Sequence, residues 1–197
     1  GRAAGPERVI LEVLPGVDHH GDPAFETDGN IRRILNFLGQ CMQPKRAGIA
    51  ADSWPDEYEK AIMLAVGAFQ QFDFTDPDTG ITINYNLYTP KNYDVRKSYP
   101  LVLFIHDMGV VSTNPKNTLV ECLGAVIWAT PSDQARHECF VLAPQYATVI
   151  VNDNSEATQE LDATAALVKS ILNQYSIDLH RVYTTGQSLG CMASIEM

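Results

Sequence analysis

A serine set between two glycines, directly after an apolar run of β type, is the arrangement in this chain best suited to chemistry. Arg181-Val182-Tyr183-Thr184-Thr185 leads straight into Gly186-Gln187-Ser188-Leu189-Gly190. A strand that turns sharply into a helix at this point leaves the serine oxygen clear of the sheet, where it can serve as a nucleophile. Gly186 and Gly190 supply the room, because without β-carbons they let strand and helix approach closely. Small residues meet such a pattern by chance, so its weight comes from its place after a strand-like run and two earlier strand-and-helix units.

Other reactive side chains are weaker candidates. His137 and His180 lie in polar connections, where solvated histidine is expected, and Asp178 with Arg181 reads as a loop-fixing ion pair. Asp18-His19-His20-Gly21-Asp22 resembles a manganese phosphoesterase motif, and those residue types do ligate metals. A metal enzyme would also need aspartates at strand ends, which residues 1–50 do not offer, so no metal is expected. Cys41, Cys122, Cys139 and Cys191 show no CxxC spacing, which argues against zinc. A Cys122–Cys139 bridge stays open beside the favoured reading of free buried thiols.

The chain of 197 residues is long enough for one domain with a real core. Hydrophobic residues at 45% and charged residues at 19% describe an ordinary globular protein. A formal charge of −10 disfavours nucleic acid or an anionic membrane as main partner. No run approaches the roughly 18 apolar residues that span a bilayer, and no secretory signal is visible, which leaves the compartment open.

Several elements would position the serine. Val9–Leu14 suits a short strand, Ile31, Ile34, Leu35 and Leu38 sit at helical spacing, and a helix can begin near Trp54-Pro55 with Ser53 as cap. Thr75-Asp76-Pro77-Asp78-Thr79-Gly80 is a turn. After it Ile81, Ile83, Tyr85 and Leu87 alternate with Thr82, Asn84, Asn86 and Tyr88, which predicts a hairpin with one buried face. Leu101–Ile105 is a continuous apolar run typical of a strand covered on both faces, and Phe140–Ala143 (closed by Pro144) and Arg181–Thr185 read as the second and third strands. Helices are expected over Leu119–Ala129 and Ser155–Tyr175, the second with Leu161, Ala165, Val168, Leu172 and Tyr175 on one stripe. Alternating strands and helices imply a parallel sheet. The domain boundaries expected are an N-terminal extension over 1–65 and the α/β part over 66–197.

From about Phe72 onward the sequence resembles the esterase and predicted-peptidase branch of the α/β-hydrolases, which includes polyhydroxybutyrate-depolymerase-like and feruloyl-esterase-like enzymes. The matching pieces are Tyr85-Asn86-Leu87-Tyr88-Thr89-Pro90, Pro100 to Gly109, Val141-Leu142-Ala143-Pro144-Gln145, and Ile177 to Tyr183 running into Gly186–Gly190. The resemblance implies an α/β fold, a parallel-sheet α/β-hydrolase with an antiparallel hairpin ahead of it. It also implies that Ser188 is the nucleophile toward a small ester substrate. The oxyanion donors would be the backbone N–H of Leu189 and that of Met108, with Asp107 N–H as fallback. His106 would hold the loop that carries Met108. No cofactor is implied. Asp107 stands where relatives usually have glycine, and Cys191 where glycine or alanine is common.

In that family the triad runs Ser, then Asp or Glu, then His. Only Cys191 to Met197 follow Gly190, so the expectation is a fold cut short after the nucleophile elbow. A C-terminal segment or a second chain would then complete it, and the 197 residues alone would be inactive and prone to oligomerise. A catalytically silent binding or assembly module, or a serine peptidase, remain the alternatives.

Overall fold

The computed structural model describes residues 54–120, 123–152 and 156–197. The expectations for Val9–Leu14, for Ile31–Leu38, for Ser53 as cap, and for Asp18–Asp22, Cys41 and Cys122 lie outside the described residues. The chain from Asp52 to Met197 is one compact unit.

Helix α1 spans Trp54–Gly67 and leads into strand β1, Gln70–Thr75. The breaker-rich turn then reverses the chain. Asp76 anchors it by accepting from the Thr79 hydroxyl at 2.6 Å and the Thr79 N–H at 3.1 Å, while Gly80 takes φ 74°. Strand β2, Thr82–Tyr88, pairs antiparallel with β1, as the period-two pattern predicts. Its far half departs from the prediction, because Asn86 and Tyr88 are buried as well as Tyr85 and Leu87. The reason is that β2 is an inner strand. On its other side it pairs antiparallel with β4, and Tyr88 packs against Phe69.

Strands β3 (Tyr99–Ile105), β4 (Phe140–Gln145) and β5 (Ile177–Gly186) complete a sheet of order β1-β2-β4-β3-β5. β3 runs parallel to both of its neighbours. Alternate residues of β3 and β4 serve two cores. Leu101, Leu103, Ile105, Phe140 and Leu142 point to one face, and Val102, Phe104, Val141 and Ala143 to the other. That two-sided burial is why these strands read as continuous apolar runs. β4 extends through Pro144 rather than stopping there. Its ladder with β3 ends at Leu142, so the ring sits where only β2 is a partner, opposite Tyr85.

The helix expected over Leu119–Ala129 is instead two short pieces, α2 (Asn117–Val120) and α3 (Val126–Ala129), and a third, α4 (Pro131–Gln134), follows them. The break falls at Leu123, which takes φ 51°, a conformation a helix cannot hold. The next residue, Gly124, lies so close to Phe104 that a β-carbon would run into the ring. Gly124→Ala is therefore expected to cost about 1–3 kcal/mol of stability, read from the urea midpoint of the natural protein.

Helix α5 spans Gln159–Gln174, shorter than predicted at its start. Its buried stripe is Leu161, Thr164, Leu167 and Ile171, while Val168, Leu172 and Tyr175 are only half-buried. A threonine can join that stripe because its hydroxyl donates to Glu160 O at 2.7 Å and meets the Tyr146 hydroxyl at 3.1 Å. Helix α6, Leu189–Glu196, closes the described chain and packs on β5 and β3. Cys139 carries no disulfide, and burial pushes its thiol up to about 11, which makes it inert at neutral pH.

Candidate active site

Strand β5 hands over to α6 through two residues. Gln187 N–H donates to Ile105 O at 3.2 Å, tying the turn to the end of β3. Ser188 then takes φ 50° and ψ −114°, a conformation that costs an L-residue about 1–3 kcal/mol and persists only where surroundings enforce it. Two close approaches enforce it here. A β-carbon on Gly186 would collide with the Gly190 backbone, and one on Gly190 would collide with Ile105 O. Helix α6 starts at once, with Gly190 N–H to Gln187 O and Cys191 N–H to Ser188 O, both 2.8 Å. The Cys191 thiol donates to Gly186 O at 2.9 Å. Ser194 adds a further tie, donating to Gly190 O at 2.7 Å and accepting from Thr184 at 3.0 Å. The Ser188 side chain is exposed, and its hydroxyl has no hydrogen-bond partner among the described residues.

The loop after β3 lies beside this turn, since Ile105 and Gly186 are register partners on adjacent parallel strands. Asp107 is extended, and Met108–Val110 forms one 3₁₀ turn. His106 is buried and holds the loop from inside. Tyr146 N–H donates to His106 Nε2 at 3.1 Å. An amide can only donate, so Nε2 is bare and Nδ1 carries the proton, which it gives to Asp107 O at 2.7 Å. Val110 N–H reaches the same carbonyl at 3.3 Å. In a trans peptide the N–H points opposite to the C=O, so fixing Asp107 O also aims the N–H of Met108. Neither that N–H nor the N–H of Leu189 has an acceptor among the described residues.

Burial holds the His106 pKa below its ordinary value, against the smaller opposing pull of Asp107. The neutral ring is thus the form that fits. Its contribution to stability is complete above the unfolded value of about 6.5 and is lost as pH falls from there through the folded value. The melting temperature of the natural protein is expected to drop between pH 7.5 and pH 5, and His106→Asn should flatten that part of the profile.

The structure brings Ser188, Leu189 and the Met108 loop to the same ends of β5 and β3. His137 and His180 lie at the opposite end, where β4 and β5 begin. His137 is exposed beside Asp133, 3.2 Å away. Arg181 Nε meets Asp178 Oδ2 at 2.7 Å, the ion pair the sequence suggests. Among the described residues no cluster of histidine, cysteine and carboxylate could hold a metal, and no helix is long and apolar enough to cross a membrane. Gln145 and Tyr146 escape sequence reasoning as site residues. The one available signal is a polar amide at the end of a wholly apolar strand.

No protein-family model matches the chain, and no curated protein does. Among solved structures, a thermostable esterase is 36% identical with a TM-score of 0.63, over 66% of this chain and 37% of its own. The chain shares the α/β-hydrolase fold. An esterase of Pyrobaculum calidifontis is 16% identical at TM-score 0.47, over 80% of this chain and 50% of its own. A ferulic acid esterase of the anaerobic fungus Anaeromyces mucronatus is 16% identical at TM-score 0.43, over 65% and 52%. The chain thus spans little more than a third of the length of the thermostable esterase. The described residues hold an exposed serine hydroxyl at a strained turn and, beside it, a loop whose peptide N–H is held in one direction.

Proposed function

We propose that this protein is a serine hydrolase that cleaves carboxylic esters through an acyl-enzyme on Ser188. The observation that carries the reading is the exposed Ser188 hydroxyl at a backbone conformation that two glycine contacts enforce. The likeness to a thermostable esterase supports it. A base removes the proton as Oγ attacks the ester carbonyl, and the alcohol leaves with a proton from the same base. Water then releases the acid. Negative charge grows on the carbonyl oxygen only during attack, and the N–H groups of Leu189 and Met108 receive it.

Among the described residues no histidine hydrogen-bonds the Ser188 hydroxyl, so in this reading the acid and base that activate it lie outside them. The natural polypeptide carrying this sequence should hydrolyse a p-nitrophenyl ester and take a fluorophosphonate on Ser188. A silent binding module is the second reading, favoured by the lack of any described partner for the Ser188 hydroxyl. Absence of both turnover and labelling in that polypeptide selects it, and faster cleavage of peptides than of esters would mark a peptidase.

A further inference from the structure

We propose that Gln145 is a positioning residue that aims the Met108 N–H at the oxyanion by holding the far end of its turn. The inference rests on the reading of Met108 as an oxyanion donor. Gln145 ends β4 and is 3% exposed, so its amide must find partners within the protein. Oε1 accepts from Thr118 N–H at 2.7 Å, which ties the side chain to the start of α2. Nε2 donates to Val110 O at 2.8 Å, with Tyr146 O at 3.2 Å and the bare His106 Nε2 at 3.3 Å around it. An amide has two N–H donors, and the shortest contact goes to the last residue of the Met108–Val110 turn.

The two ends of that turn are held by different groups. His106 Nδ1–H and Val110 N–H fix Asp107 O, the carbonyl of the peptide that bears the Met108 N–H. Gln145 fixes Val110 through its carbonyl. Tyr146 O, also within reach of Gln145, accepts Ser112 N–H at 2.9 Å just beyond the turn. Without the Gln145 amide, Val110 is free to swing. Its N–H then loses Asp107 O, and the peptide carrying the donor loses one of its two restraints. Gln145 does not touch the substrate in this scheme. Its effect is confined to the moment when the carbonyl oxygen is charged.

The test uses the natural polypeptide carrying Gln145→Met, which keeps the length of the side chain and removes both amide functions. Active sites are counted by fluorophosphonate titration, so turnover is expressed per folded site. The kcat for a p-nitrophenyl ester should fall about 10- to 100-fold, below the cost of losing a donor outright, with KM within about twofold. Affinity for a trifluoromethyl ketone, whose adduct on serine carries the charged oxygen, should weaken by the same factor as kcat. A merely structural role would reduce the titrated sites and leave this affinity unchanged, which overturns the proposal. If the methionine variant does not fold, Gln145→Asn withdraws the amide by one methylene and is read by the same criteria. Labelled Ser188 with unaltered kcat per site sinks the role of Gln145 alone. A wild-type protein that Ser188 labelling fails to detect sinks both readings.

Discussion

Ser188→Ala in the natural polypeptide should lower kcat for a p-nitrophenyl ester by about 10⁴-fold or more and abolish fluorophosphonate labelling. KM and the melting temperature should barely move. The size of the loss follows from the role, because without Oγ no acyl-enzyme forms and the base has no proton to take. What remains is the modest help of binding and of the oxyanion donors to a direct attack by water. The stability forecast follows from geometry. The hydroxyl faces solvent and makes no hydrogen bond among the described residues, so removing it leaves no partner stranded. Alanine must still adopt φ 50°, as serine does. A fall in melting temperature comparable to that of a core mutant would show that this hydroxyl serves the fold and would reject its assignment as nucleophile.

Gly190→Ala should destabilise the protein by about 3 kcal/mol or more, a large share of the 5–15 kcal/mol typical of a domain. The added carbon would collide with Ile105 O and come within 3.0 Å of His106 O. Both are backbone atoms at the end of an inner strand, so neither can turn aside as a side-chain tip could. Relief requires α6 to move off β3, which would break the Gln187 N–H to Ile105 O bond and release Ser188 from its strained conformation. Activity should therefore fall with stability, measured by urea unfolding alongside ester turnover. Gly67 is the control. A β-carbon there meets nothing within 4 Å, and Gly67→Ala should shift stability by less than about 1 kcal/mol. Equal tolerance of alanine at both positions would contradict the close packing described for the turn.

The turn that carries the candidate site was legible in the sequence, because short-range geometry governs it. Gly186, Ser188 and Gly190 sit within one turn of one another, so a spacing pattern can report them. Leu189 and Met108 are reachable by resemblance because each is defined by its place after a strand. The tethering of the loop was not legible. Gln145 meets Val110, 35 residues earlier, and Thr118, 27 residues earlier, with no periodicity to signal either contact. The hydrogen-bond direction at His106 was equally hidden, since it depends on the N–H of Tyr146, 40 residues away.

Alternation of apolar residues and punctuation by turn formers were enough to determine the class of fold, its hairpin and its inner strands, because burial on a sheet face is a property of local pattern. Tertiary structure alone decided which residues break or extend those elements. Leu119–Ala129 could not remain one helix because Gly124 must press against Phe104 of a distant strand. Asn86 could be buried because Pro115 and Ala143 offer it carbonyls, at 2.7 and 3.2 Å. The strain at Ser188 belongs to the same group. A helix and a strand must be pressed together before a single residue between them is forced into φ 50°, and that pressure arises only once the sheet is assembled.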